Sequence, residues 1–273
     1  AASSISIEGQ GPLAPRPSVQ AVLGGTAKLR VKVRNPYTSR ISGVVSAKFG
    51  SDYKLLTLAP SSVQEMADFI AEGFDLAFKY RNPVMILSDG ALGQMMEKIV
   101  LPEQRDRLSE YPDWATNGTP EGKERRFVTS LNLLPQQHEM VNIRLQEKYR
   151  AMEENEVRYE MIQCEDAEYI IVAFGIIARI AQKSIELARA KGHKIGLFRP
   201  ITLYPFPMKE ITALANNNRV KGFMSVELNA GQMVEDIRLA VEGRKPVGFF
   251  GRLGGMVPSP EEIENAIYKE FNL

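Results

Sequence analysis

Three short apolar runs between Lys194 and Gly255 each end in a polar or glycine-bearing turn. They are Lys194-Ile-Gly-Leu-Phe-Arg-Pro, Lys221-Gly-Phe-Met-Ser-Val-Glu-Leu and Pro246-Val-Gly-Phe-Phe-Gly, and helical patterns follow them. Strands that alternate with helices pair in parallel, because a parallel neighbour is reached only through a crossover. A further run, Tyr169-Ile-Ile-Val-Ala-Phe-Gly, precedes these three. Behind it Ile177, Ile180, Ala181, Ser184, Leu187 and Ala188 fall at helical spacing, and Lys191-Gly192 supplies a stop signal. Helices are expected near 208–217, 232–242 and 260–271. The last is signalled most strongly, by Ser259 as N-cap, Pro260 at the first helical position and Glu262 reaching back. Four parallel strands wound with helices over residues 161–273 is the resulting expectation.

In such sheets, ligands and partners gather outside the carboxyl ends of the strands, where these turns fall. Arg199-Pro-Ile-Thr-Leu-Tyr-Pro-Phe-Pro carries three prolines, each fixing its own φ and restricting its predecessor. This rigid loop is expected to dock another domain or subunit, with Thr202 and Tyr204 as the presented side chains. Glu227 closes an apolar strand, so its carboxylate either faces the crevice or pairs with a cation such as Arg199 or Arg252. Asn229, with Gln232 three residues on, matches a helix-capping pattern. Gly251-Arg-Leu-Gly-Gly suits an anion at first sight, yet it lacks the Walker lysine and the Rossmann glycine spacing. A tight strand-to-helix turn needing positive φ is the expectation there. The candidates for a loop edge or subunit interface are therefore Arg199, Thr202, Tyr204, Glu227, Asn229, Gln232, Arg252, Gly254 and Gly255. No catalytic residue and no metal ligand set can be assigned.

Upstream, Tyr53-Lys-Leu-Leu-Thr-Leu reads as a strand and Ser62-Val-Gln-Glu65 as a capping box. Met66, Phe69, Ile70, Gly73 and Ala77 form one helix face, Asn82-Pro83 ends the helix, and Val84-Met-Ile-Leu follows as a buried strand. Residues 1–102 are thus expected as an α/β domain and 103–160 as a connector. Within the connector, Gln137–Val157 reads as a charged helix burying Met140, Ile143, Tyr149 and Met152. Trp114 there is either a packing plug or a contact anchor. Near the start, Gly9–Pro17 is rich in breakers, and Ala27–Arg34 alternates apolar with basic residues, as an exposed strand with one wet face does.

A net charge of +1 implies no whole-chain attraction to nucleic acid or acidic membranes. The longest apolar run, Tyr169–Ala178, is well short of the ~18 residues of a membrane span. No signal segment opens the sequence, so a cytoplasmic location is expected. Cys164 is the one cysteine, and an iron–sulfur cluster typically takes four thiolates. Any electron carriers therefore sit on other chains. His138 and His193 share no metal-ligand spacing, and no Ser/His/Asp triad can be assembled.

The turn strings Arg-Pro-Ile-Thr-Leu-Tyr-Pro-Phe-Pro, Val-Glu-Leu-Asn-Ala-Gly-Gln-Met-Val-Glu-Asp-Ile-Arg and Gly-Arg-Leu-Gly-Gly-Met-Val-Pro-Ser-Pro resemble the alpha subunit of 2-oxoacid:ferredoxin oxidoreductases. Leu58-Ala-Pro-Ser-Ser-Val-Gln-Glu-Met and Pro83-Val-Met-Ile-Leu-Ser-Asp-Gly resemble it too, in its 2-oxoisovalerate and 2-oxoglutarate members. The similarity runs from about residue 51 to 273. It implies a transketolase C-terminal-like α/β domain preceded by a partial or divergent thiamine-pyrimidine-binding-like α/β domain. It also implies a reaction in which a 2-oxoacid loses CO2, its acyl group joins coenzyme A, and two electrons pass singly to ferredoxin. Thiamine diphosphate and magnesium would be shared with a partner beta subunit, and iron–sulfur clusters would lie on other subunits. Residues 1–50 do not match: the family's Tyr-Pro-Ile-Thr-Pro turn, its thiamine-activating glutamate and its Met-Arg-Gly-Gly-Pro loop are not found, and Glu8 is given no role. Another thiamine enzyme of the transketolase or 2-oxoacid dehydrogenase type, and a non-catalytic assembly subunit, remain as alternatives.

Overall fold

A computed structural model describes residues 3–8, 27–32, 54–101, 112, 114, 115, 129 and 131–273. The chain forms two compact units, Ala1–Ser51 and Asp52–Leu273. In the first, β1 (Ser3–Glu8) and β2 (Ala27–Lys32) pair in parallel, with Ser3 opposite Ala27. The breaker-rich stretch 9–17 and the wet face expected for 27–34 lie outside what is described.

The second unit holds two sheets. The larger contains β5 (Tyr159–Ile162), β6 (Tyr169–Val172), β7 (Ile195–Pro200), β9 (Gly222–Glu227) and β10 (Val247–Gly251), in the order β10-β9-β6-β7-β5. Four of these strands are parallel, and β5 lies antiparallel on the edge of β7. Around them wind α3 (Ile176–Ala190), α4 (Met208–Asn216), α5 (Met233–Val241) and α6 (Pro260–Phe271). Alternate strand residues feed opposite faces. Ile170, Val172, Phe198 and Phe223 pack with Ile211, Ile237 and Ala240 of α4 and α5. Ile171, Leu197, Met224 and Val226 pack with Ala181, Ile185, Ile263 and Ile267 of α3 and α6. Burial on both faces explains why these strands read as unbroken apolar runs rather than as alternation. Gly196 in β7 has no room for a side chain: a Cβ would sit 2.8 Å from the Gln163 carbonyl oxygen. The expected capping box of α6 is present in full, with Ser259 and Glu262 each bonding the other's backbone.

The smaller sheet joins β3 (Leu56–Leu58), β4 (Val84–Ile86) and β8 (Thr202–Tyr204) in the order β4-β3-β8. Between β3 and β4 runs α1 (Val63–Tyr80), whose Phe69, Gly73 and Leu76 are buried against the sheet. The Ser62 side chain caps α1 as expected, but Glu65 takes the Ser61 N–H at 2.7 Å instead of its own cap's. Two burial expectations are corrected here. Ile70 is 53% exposed because the inward stripe runs through Leu76 rather than Ile70, and β4 is half-exposed because it forms the sheet's edge.

The connector supplies α2 (Pro135–Asn155). Only its second half is packed: Tyr149 and Met152 are buried, while Met140 and Ile143 are exposed, against expectation. Trp114 packs on Phe78 of α1 with ring centroids 5.4 Å apart. The rest of the long turn 113–122 lies outside the described residues, apart from Ala115.

The proline loop stitches the two sheets together. β7 continues through Pro200 into β8, which pairs antiparallel with β3 across an irregular register. Ile201 and Thr202 donate their N–H groups to the Arg158 carbonyl at 2.9 and 3.1 Å. Thr202 accepts the Arg158 N–H in return, at 2.9 Å. Arg199 is buried at this seam, with its guanidinium bonded to Glu65 of α1 at 2.5 Å and Glu160 of β5 at 2.8 Å. Close by, Arg158 makes a two-pronged pair with Glu72 at 2.6 and 2.7 Å.

Three outcomes are expected from this arrangement. Arg199→Met leaves Glu65 and Glu160 without their shared cation and should cost about 2 kcal/mol, read as a lower urea midpoint of the whole chain; an unchanged midpoint would count against the seam. Burial, with help from Glu165, pushes the Cys164 thiol up to about 12. A thiol-specific reagent should therefore label Cys164 only after unfolding. Glu97 is held below its ordinary 4.5 by the Val63 N–H and Arg179, and Glu153 by a hydrogen bond from Lys54. Because the folded values are depressed, the stability these groups contribute is complete above the unfolded value and is lost as pH falls through the folded one. The thermal midpoint should stay level down to about pH 5 and fall below it, less steeply in Glu97→Gln.

Candidate functional site

At the carboxyl ends of β4, β6 and β9 lies a crevice of about 170 Å³. Leu87, Ser88 and Asp89 come from the turn after β4, Phe174 and Gly175 from the turn after β6, Ile177 from α3, and Leu228 and Asn229 from the turn after β9. Its walls are thus mainly apolar, with polar groups at separate points on the rim.

Asp89 ties the two sheets at this edge. One carboxylate oxygen accepts the Ile176 N–H at the start of α3, at 2.9 Å, and the other accepts the Leu92 N–H at 2.8 Å. Gly175 makes the approach possible: its φ is +67, and a Cβ would lie 3.0 Å from the Asp89 oxygen. A residue with a side chain is strained in that conformation and crowds the carboxylate.

Glu227 organises the opposite rim. Its side chain is 1% exposed and accepts the N–H groups of Gln232, Met233 and Val234 at 3.0, 2.9 and 2.9 Å, together with the Ser225 hydroxyl at 2.8 Å. These are the orphan donors at the start of α5, and a carboxylate there also complements the helix dipole. Neither alternative read from the sequence holds: Glu227 is not among the crevice-lining residues, and it pairs with no cation among the described residues. Arg199 takes Glu65 and Glu160, and Arg252 takes Glu262 at 3.2 Å. A strand-end carboxylate facing a following helix is satisfied by backbone amides at lower entropic cost than by a long side chain. Asn229 is likewise not the cap of α5. Its side-chain oxygen accepts the Gly231 N–H at 2.7 Å, and Gln232 occupies the cap position with no side-chain bond.

The remaining candidates divide. Thr202 is fully buried and bonded to Arg158, so it is not presented to anything. Tyr204 donates its hydroxyl to Glu153 at 3.1 Å and sits edge-on to Tyr149. Burial, with Glu153 beside it, pushes its phenol well above the ordinary range. Arg199, Thr202 and Tyr204 do not line the crevice. The loop after β10 is different: Gly254 and Gly255 have φ of 66 and 81, and Leu253 and Met256 stand 60% and 55% exposed. Its start is fixed by the Arg252 N–H on the Glu227 carbonyl at 3.1 Å. Sequence reasoning missed Asp89 as a site residue. The available signal was Ser88-Asp89-Gly90 directly after an apolar strand.

This crevice is small beside the ~300–1,000 Å³ usual for small-molecule sites. Both Asp89 oxygens are committed to backbone amides, while Glu65, Glu72, Glu97, Glu153 and Glu156 are in ion pairs. Among the described residues, no group of three or more His, Cys, Asp or Glu is placed to hold a metal. The described residues therefore do not by themselves fit thiamine diphosphate and its magnesium. Among the same residues, no helix is long and apolar enough to cross a membrane.

Comparison with known proteins places these features in a family. The family model described as pyruvate flavodoxin/ferredoxin oxidoreductase, thiamine-diphosphate-binding, matches residues 37–166, and pyruvate:ferredoxin oxidoreductase core domain II matches 167–263. Ketoisovalerate oxidoreductase subunit VorB of Methanothermobacter marburgensis is 48% identical over 204 residues, covering 75% of this chain and 57% of the relative. The 2-oxoglutarate synthase subunit KorA of the same organism is 31% identical over 263 residues, covering 85% of this chain and 68% of the relative. The chain thus spans under three-fifths of the VorB length. A solved structure of 2-oxoglutarate:ferredoxin oxidoreductase from Magnetococcus marinus shares the fold, with a TM-score of 0.64 at 21% identity over 81% of this chain and 43% of its own. The chain belongs to the 2-oxoacid:ferredoxin oxidoreductase subunit family.

Proposed function

We propose that this chain supplies the alpha-type portion of a thiamine-dependent 2-oxoacid:ferredoxin oxidoreductase, with a branched 2-oxoacid such as 2-oxoisovalerate as substrate. The observation that carries the reading is the 48% identity to a ketoisovalerate oxidoreductase subunit, against 31% to a 2-oxoglutarate synthase subunit. In the overall reaction, the carbon–carbon bond to the carboxylate breaks to release CO2, and the acyl carbon forms a thioester with coenzyme A. The thiol proton is released, and the two electrons left over reduce two ferredoxins, one each.

In this reading residues 1–102 are the pyrimidine-side portion, 103–160 the connector and 161–273 the transketolase C-terminal-like portion. Thiamine diphosphate and magnesium are shared with a beta subunit, and other subunits carry the iron–sulfur clusters. The buried Cys164, alone in the sequence, agrees with that division of labour. This chain's contribution at the carboxyl-end edge is a fixed rim. Glu227 and Asp89 lock the turns, and the Arg252-Leu-Gly-Gly loop with its exposed Leu253 and Met256 faces the beta subunit. The complex is cytoplasmic.

The test is reconstitution of the complex with and without this chain, measuring ferredoxin reduction that depends on both 2-oxoacid and coenzyme A. Activity is expected only with the chain present, and faster with 2-oxoisovalerate than with 2-oxoglutarate; the chain alone should show neither turnover nor visible absorbance. Full activity in its absence would overturn the proposal, and equal rates with the two acids would overturn the substrate assignment.

A further inference from the structure

Among the described residues Asn229 is the one amide side chain on the crevice wall, and its orientation is settled by its neighbour. Gly231 N–H is a donor, so the oxygen of the carboxamide must face it, at 2.7 Å. The amide nitrogen then carries two donors that make no hydrogen bond among the described residues. Beside it stand the apolar walls of Leu87, Phe174, Ile177 and Leu228.

What holds Asn229 there is not local. The arc from Leu228 to Gly231 is tied at both ends to Glu227, through the strand on one side and through the amides of residues 232–234 on the other. It also rests on β10: a Cβ at Gly251 would lie 2.5 Å from the Asn229 carbonyl oxygen. A serine or aspartate at position 232 would cap α5 through one N–H of its first turn without bracing the arc. Placing the carboxylate on the strand makes one group the cap of α5 and the brace of the turn that carries Asn229.

We propose that Glu227 is a positioning residue for Asn229, whose free carboxamide donates to a carbonyl or carboxylate oxygen borne next to a small aliphatic group seated in the crevice. The inference rests on the oxidoreductase function proposed above, and the group it names is of the kind an acyl or 2-oxoacid moiety presents.

The test is a double-mutant cycle in the assembled enzyme, using Glu227→Gln, Asn229→Ala and both together. kcat and KM for 2-oxoacid and for coenzyme A are the readouts. Each single variant is expected to lower the same kinetic parameter by about three- to tenfold, the scale of one hydrogen bond. The double variant should be no worse than the worse single one, because the two residues act in series. Hydrogen exchange of the intact chain should show the 228–234 segment opening in Glu227→Gln while α3 and α6 stay protected. Asn229→Ala leaves the brace intact, so wild-type kcat and KM in that variant overturn the proposal whether or not Glu227→Gln folds. Effects that simply add overturn the positioning role. A wild-type complex without 2-oxoacid-dependent activity removes the function proposed above and this inference with it; an active complex with additive effects removes the inference alone.

Discussion

Arg199 carries its charge into the seam between two sheets, and the geometry of the second unit depends on what meets it there. Glu65 comes from the helix of the small sheet and Glu160 from the edge of the large one, so one guanidinium is bonded to both. The proline loop that follows crosses from the large sheet to the small one and pairs with β3. A buried cation tolerates little displacement, because separating it from either carboxylate leaves a charge without compensation in a poorly solvated place. The seam therefore includes geometry-sensitive polar contacts, in which a small displacement is costly, beside the apolar packing of Ile201 on the small-sheet core.

Fixing the seam also fixes the carboxyl-end edge, since Asp89 belongs to the small sheet and the α3 N-terminus to the large one. The same device recurs along this edge. Glu97 reaches the Val63 N–H at the start of α1, at 3.1 Å, and Glu227 fills the start of α5. Helix N-termini in wound α/β folds commonly receive anionic ligands. Here three of them already receive the protein's own carboxylates, so their donors are taken and the crevice walls beside them are mainly apolar. Such a rim suits contact with small aliphatic groups or with another chain better than it suits a phosphate.

Much of the fold was legible because the physics was local. Ser259, Pro260 and Glu262 announce α6, since capping involves neighbours within one turn. The runs at 169–172, 195–200 and 222–227 announce strands, since burial on both faces leaves few polar positions, and 247–251 reads the same way although it is a half-buried edge strand. The short β5 and β8 were not legible. Tyr159–Ile162 is an edge strand of mixed character, and Thr202–Tyr204 lies among prolines, so nothing in either names its partner. The candidate site fared likewise: Glu227 stood out as a carboxylate ending an apolar strand, but its partners are backbone amides, which every residue possesses.

The sequence by itself determined the alternation of strand and helix, the parallel winding, the family resemblance and the lack of thiols for a metal cluster. Each of these is a property of spacing or composition along the chain. Tertiary structure alone decided that Arg199 serves Glu65 and Glu160, that Thr202 is buried, and that Asp89 and Asn229 face one crevice. Those contacts join residues far apart in sequence, Glu65 and Arg199 being 134 positions distant. Which of several compatible charges or amides meet across such a distance depends on how two sheets are set against each other, and the packing of their cores fixes that.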